Sequence, residues 1–212
     1  MAKEKKGALT RSGDELAARR TAILTAAGAV FFEYGFEAAT TLEIAKRART
    51  SKRALYELFG SKDMLLTALI RESSQQMRAP LELAPPDSQA GLLETLRRFG
   101  RHFLEQLFHP HRVAMYRLAI AEVFRSGKVA TELEGAGRQP VVDALTRFLT
   151  HAARKGLVRS EDIELLTTAF FGILIGGIHT QLLLGLEETV AQKAIQHRVD
   201  RAVEVVGRII KP

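Results

Sequence analysis

An all-α fold is what this sequence predicts: a small N-terminal three-helix unit followed by a larger C-terminal helical bundle. Three observations predict it. Apolar residues recur at helical spacing through most of the chain, and Ser, Thr and Gly stand as caps at the ends of those stretches. Alternating strand runs and Asn-Gly or Asp-Gly hairpin dipeptides are missing. Nine or ten helices and no internal repeat are expected.

Residues 1–11, with Lys3, Lys5 and Lys6, suggest a disordered basic arm. Ser12 and Glu15 form a capping box that opens a helix to about Tyr34, stopped by Gly35, with Leu16, Ile23, Leu24, Ala27, Val30, Phe31 and Tyr34 on its apolar stripe. Thr40 and Glu43 form a second box, whose hydroxyl and carboxylate each satisfy an orphan amide, and Ile44 and Ala45 give that helix a buried side. Ser51 caps a second short helix, in which Ala54, Leu55, Leu58 and Phe59 share one side while Lys52, Arg53 and Tyr56 face out. Two short helices joined by a tight turn, with cations and an aromatic near the second N-terminus, describe a helix-turn-helix spanning 12–62. A connecting helix follows over 63–79. The loop at 81–88, with Pro85-Pro86, marks the boundary and opens the bundle domain over 80–212.

In the bundle, a helix over 89–107 is closed by Pro110. The next, 113–124, is apolar on most sides and is expected at the centre. A short helix over 128–134 leads to a Gly135-Ala136-Gly137 turn, and a longer one over 140–155 is stopped by Gly156. Ser160 caps another, and 187–210 forms the last. Residues 165–186 carry no charge and match the ~20 apolar residues that cross a bilayer. Polar Thr167, Thr168, His179, Thr180 and Gln181, acidic flanks and the lack of a positive side argue instead for a helix buried in protein, so no membrane partner is expected.

A chain of 212 residues with 46% hydrophobic residues has material for a sizeable core. Cysteine is absent, which excludes disulfides, thiolate metal sites and cysteine nucleophiles, and fits a reducing cytoplasm. No signal peptide is read at the N-terminus. Net charge is +7, unevenly placed: residues 1–78 hold 14 Lys/Arg against 9 Asp/Glu, a net of +5, and 79–212 hold 17 against 15, a net of +2. The excess accompanies the helix-turn-helix, as a phosphate-binding surface requires. Lys52 and Arg53 have the reach for base edges or phosphates, Tyr56 for a phosphate or a thymine methyl, and Thr41 for a phosphate. Lys62, at the start of the next helix, adds an ammonium to amide dipoles that favour an anion.

Residues 20–65 resemble the DNA-binding domain of TetR-type transcriptional regulators. The matching positions are Ile23, Leu24, Ala27, Phe31, Tyr34-Gly35-Phe36, Thr40-Thr41, Ile44-Ala45, Ala48, Ser51, Leu55-Tyr56, Phe59, Ser61-Lys62-Asp63 and Leu65. The resemblance implies backbone contacts from Tyr56 and Lys62 and a groove-facing Lys52–Ala54, with Thr41, Arg49 and Ser51 completing the expected DNA-binding set. The chain departs from the pattern at Arg49, which replaces a turn glycine, at Thr50, and at Glu57-Leu58, where a phosphate-contacting histidine is common. If position 49 is left-handed, arginine costs on the order of 1 kcal/mol there. Glu57 repels phosphate unless it pairs with Arg53 or accepts from a cytosine amino group.

The resemblance also implies a small-molecule pocket and a homodimer seam in the second domain, and the stretch Y-R-L-A-I-A-E-V-F over 116–124 is similar to the AefR-like subclass. Most of the domain's aromatics are core. The expected ligand-binding set is Phe103, Tyr116, Arg117, Glu122, Phe148, Phe171 and His179, the charged members because a charge in an apolar helix is paired or meets a ligand. The expected dimer seam is Gly172 and Gly176, which permit close helix approach, with Ile195, Val199, Ala202 and Val206 of the last helix. His102, Glu105, His109 and His111 are the one cluster weighed for a metal, and Pro110 interrupts it, so no metal site is expected. No nucleotide-binding glycine loop or nucleophile elbow occurs, so no catalytic residue, cofactor or enzymatic activity is expected. The implied function is a cytoplasmic, homodimeric, effector-released repressor bound to double-stranded DNA. A sequence-indifferent architectural DNA binder, and a helical carrier or enzyme with a vestigial helix-turn-helix, are the alternatives.

Overall fold

The computed structural model of the chain describes residues 2–83, 86–124, 127–158 and 163–210, with side chains from residue 14 onward. Among the described residues there is no strand; there are eleven α-helices, a 3₁₀ turn at Ala79–Leu81 and a π-helical turn at Leu133–Arg138. The expected Ser160 cap lies outside the described residues. The chain divides into two compact units, Met1–Ile70 and Arg71–Pro212.

The first unit contains α1 (Ala2–Ala38), α2 (Thr41–Arg47), α3 (Lys52–Phe59) and the start of α4 (Lys62–Arg78). α1 is helical from Ala2, through the residues expected to form a separate arm. Lys, Glu, Ala and Leu there are good helix formers, and lone Gly7 costs only about 1 kcal/mol against them. At the other end Gly35 interrupts the helix as expected, with φ 78° and ψ 168°, backbone angles open essentially to glycine alone. Ile23, Leu24, Ala27, Val30 and Phe31 of α1 are buried with Ile44, Ala45, Leu55, Phe59, Leu65 and Leu66. Each of the Val, Leu, Ile and Phe side chains among them stabilises by about 1.5–3 kcal/mol when fully buried. Leu16 and Tyr34, expected on that stripe, are exposed. The apolar spacing continues past the length of helix that its neighbours cover.

In the second unit, α5 (Gln89–Leu107), α9 (Ile163–Ile175) and α11 (Gln192–Ile209) pack together at the centre. Phe99 of α5 stacks on Phe170 of α9 with ring centroids 6.1 Å apart. α6 (Pro110–Glu122), expected to be central, lies at the periphery: Val113, Ala119 and Glu122 are buried, while Ile120, Val123 and Phe124 are exposed. It begins at Pro110 rather than at 113, with His109 as N-cap, because proline lacks only an amide that a first turn leaves unpaired anyway. α7 (Lys128–Glu132) runs through the π-helical turn into α8 (Gln139–Arg154), so Gly135-Ala136-Gly137 does not form a separating turn.

The uncharged stretch 165–186 is not one helix. α9 and α10 (Ile178–Leu184) meet at a 51° bend, and no single helix among the described residues is long and apolar enough to cross a membrane. Gly176 sits at the bend with φ 47°, and a Cβ there would lie 2.6 Å from Nη1 of Arg198. That guanidinium reaches the Leu174 and Ile175 carbonyls at 3.4 Å each, groups that the end of α9 leaves without amide partners.

Ile195, Val199, Ala202 and Val206, expected at the seam between subunits, are between 0% and 3% exposed and fill their own domain's core. An apolar stripe shows that a face is buried, not which partner buries it. Gly172 and Gly176 are exposed, and nothing lies within 4 Å of a Cβ placed on Gly172.

Candidate nucleic-acid interface

The two short helices of the first unit are started by side chains. Thr40 caps α2, its hydroxyl accepting from the Glu43 amide at 3.2 Å, and Ser51 caps α3 by accepting from Ala54 at 3.0 Å. The reciprocal half of the expected capping box is not formed, because the Glu43 carboxylate accepts instead from Nε of Arg47 at 2.8 Å. Arg47 also bonds Glu33 at 2.6 Å and the Tyr34 hydroxyl at 3.2 Å, which ties α2 to α1. The bond from Arg47 holds the Glu33 carboxyl below its usual range, and the same network raises the Arg47 guanidinium.

Between the helices Arg49 has φ 52°, the one left-handed non-glycine residue among those described, so arginine occupies the strained turn position directly. Its side chain is exposed. In α3, Leu55 and Phe59 are buried and Ala54 and Leu58 half-buried, leaving Lys52, Arg53 and Tyr56 on the outer face. Nζ of Lys52 lies 5.7 Å from the Tyr56 ring centroid. Arg53 donates to Glu57 at 2.8 Å with both side chains well exposed, so the carboxylate that would repel phosphate is neutralised by a neighbour one turn away.

Two expected contacts are placed differently. Thr41 is only 8% exposed, and its hydroxyl is 3.3 Å from the Tyr56 hydroxyl, so it orients Tyr56 more than it faces outward. The Lys62 ammonium donates to three carbonyls, of Phe36 at 2.8 Å, Glu37 at 3.1 Å and Ala39 at 3.2 Å, and lies 4.6 Å from the Phe36 ring centroid. An ammonium has three donors, and these bonds use all of them. Lys62 therefore clamps the end of α1; its sequence partners, 23 to 26 residues away, could not be read from local spacing.

Residues 23–69 match the profile of bacterial regulatory proteins of the tetR family, and 94–209 match the C-terminal domain of AefR-like transcriptional repressors. The second match alone covers more than half of the chain. This chain belongs to the TetR family. It is a DNA-binding transcriptional repressor, and the family is one of regulators, not of enzymes. It is similar to the transcriptional repressor AcnR of Corynebacterium glutamicum, 30% identical over 82% of this chain and 87% of that one. Among solved structures, a TetR regulator from Agrobacterium tumefaciens is 28% identical with a TM-score of 0.73, covering 89% of this chain and 92% of that one. The flavonoid-responsive regulator FrrA is 27% identical with a TM-score of 0.68, covering 92% and 97%.

In the C-terminal unit of this TetR-family chain, the residues expected to bind a ligand fall into separate groups. Phe103 and Phe171 pack edge-on at 5.1 Å beside Phe99, and Phe148 is buried; these are core. Arg117 is exposed and caps α10, Nε donating to the Leu183 carbonyl at 3.1 Å and Nη2 to that of Leu182 at 2.5 Å. Glu122 is buried, with Oε2 lacking a partner. Tyr116 and His179 do come together, ring edge to face at 5.0 Å, with Phe108 against the same imidazole at 6.5 Å. Burial raises the Tyr116 phenol and lowers the His179 imidazole, whose Nε2 is enclosed without a hydrogen-bond partner.

One residue of this region was not singled out from sequence. Arg112, one turn before Tyr116 on α6, is largely buried, and burial pushes its guanidinium down to about 10. A groove of about 520 Å³ lies apart from it, lined by Ile173, Ile178, Ala194, His197, Arg198 and Arg201. The histidine cluster is dispersed: His102 Nε2 is 2.9 Å from the Gln76 carbonyl, while His109 and His111 face each other at 5.2 Å. Among the described residues no group of three or more His, Asp or Glu side chains is arranged to hold a metal ion.

Proposed function

We propose that this TetR-family repressor acts as a homodimer in the bacterial cytoplasm, reads two inverted half-sites with α3, and is released by a small molecule bound in its C-terminal unit. The observation that carries the reading is the outer face of α3, where Lys52, Arg53 and Tyr56 are exposed at the N-terminal end of a helix whose other side is core. Lys52–Ala54 would face the groove, with Tyr56 on the backbone. Arg49 and the Ser51 turn would lie against phosphate. Gly172 on α9 and Gly176 at the bend that follows it, both exposed, support a subunit seam there, with the outer side of α11 rather than its buried stripe. The response of FrrA to flavonoids supports small-molecule control here.

α4 contributes to both units, so it is the segment through which an effector would alter the readers. Linkage then requires that operator DNA weaken the effector by the factor by which the effector weakens DNA. Binding selection from random duplex DNA, with excess non-specific competitor, tests the reading. An enriched inverted repeat supports it, retained DNA without an enriched site indicates an architectural binder, and no retention at low salt removes DNA recognition altogether.

A further inference from the structure

Arg112 lies in the first turns of α6, largely buried, and among the described residues no carboxylate pairs with it. Its Nη2 donates to the Ser73 carbonyl at 3.2 Å and its Nη1 reaches the Met77 sulfur at 3.7 Å, both neutral groups on α4. A buried cation held only by a carbonyl and a thioether lacks the counter-charge that normally offsets desolvation. The contrast with Arg117, five residues on, is direct: that guanidinium is exposed and caps two carbonyls at a helix end, a complete structural role. Tyr116 follows Arg112 by one turn on the same face of α6. His179 stands edge-on to Tyr116, with an enclosed, unpartnered Nε2 and Phe108 as an apolar wall. A cation without a counter-ion, a phenol and an idle imidazole nitrogen thus converge from α6 and α10 beside aromatic surface.

We infer that this cluster takes an effector with a carboxylate on an apolar body, the carboxylate pairing with Arg112 and the body lying against Tyr116, Phe108 and His179. The inference rests on the chain being effector-controlled and names the chemistry of the effector. It also supplies a link to α4. A carboxylate that draws Arg112 toward it takes the guanidinium from Ser73 and Met77, and so loosens one of the bonds that hold α6 to α4. Arginine suits this because its planar fork matches a carboxylate in two parallel bonds.

The test uses the full chain bound to its selected operator. Release is titrated with straight-chain carboxylates from hexanoate to hexadecanoate and with benzoate and naphthoate, each against its matching primary alcohol. Acids are expected to release DNA at concentrations at least about tenfold below their alcohols, the worth of one charge-assisted pair. Arg112→Met should abolish that difference and Arg112→Lys should keep part of it. His179→Leu, which leaves Arg112 in place, should weaken release by acids if Arg112→Met does not fold. Release by alcohols as readily as by acids, or an undiminished acid preference in Arg112→Met, overturns the inference and leaves effector control standing. Release by neither series also overturns it. Loss of operator binding without any compound would instead strike the regulatory reading itself.

Discussion

The two units use their cations in opposite ways. In the first, Lys52, Arg53 and Arg49 are exposed on the outer surface, where Arg53 has an exposed carboxylate, that of Glu57, as its neighbour. In the second, Arg117 and Arg198 are turned onto backbone carbonyls at helix ends. Charge totals do not separate these roles; the acceptor does. A cation whose donors are satisfied within the fold is part of its architecture, and one whose donors remain free is available to phosphate. Lys62 belongs by position to the first unit and by bonding to the architectural kind.

Core variants give the largest expected effect. Ile195→Ala should cost about 3 kcal/mol of stability at every protein concentration, because the side chain is buried within its own chain. A loss that grows on dilution would return α11's stripe to the subunit seam. Gly172→Arg should leave the melting temperature of the subunit nearly unchanged and reduce its self-association, measured by analytical ultracentrifugation. Next comes Lys62→Met, expected to destabilise by about 2 kcal/mol, the range for hydrogen bonds to a charged group. Its operator affinity should fall without any change in the slope of log K against log salt; loss of a phosphate contact would lower that slope by about 1. Arg49→Gly relieves a left-handed arginine and should stabilise by up to about 1 kcal/mol while weakening DNA binding.

The smallest effect is a pH dependence. The His179 imidazole is lowered from its ordinary 6.5 by burial, so the unfolded chain takes up protons first as pH falls. Stability is therefore full above about 6.5 and declines as pH drops toward the folded value. His109, lowered by burial and by His111, adds to the same limb, so the comparison is between His179→Leu and the parent chain in denaturant melts. The variant should show a shallower decline.

The helix-turn-helix was legible because its signals are local. Thr40 and Ser51 cap the helices that follow them, Leu55 and Phe59 fall on one side within eight residues, and Arg53 finds Glu57 one turn on. The long-range roles were not legible. Lys62 finds carbonyls more than twenty residues away, and Arg112 finds Ser73 and Met77 at separations of 39 and 35. The uncharged run of 165–186 concealed its own bend, since Gly176-Gly177 in an apolar stretch suggests close helix approach as readily as a break. Arg112 and Arg117 lie in the same apolar helix, and only packing against α4 distinguishes the largely buried one from the exposed one.

The central claim is that the outer face of α3 reads bases while its neighbours hold it in place. Selections from random duplex DNA run in parallel on the parent chain, Lys52→Ala, Arg53→Ala and Tyr56→Ala test it most directly. One inverted repeat is expected for the parent and Tyr56→Ala, and altered preferred bases for Lys52→Ala and Arg53→Ala, each lost base contact relaxing discrimination by about 1–3 kcal/mol at its position. The same preferred sequence from all four proteins, bound with uniformly lower affinity by the variants, would contradict it.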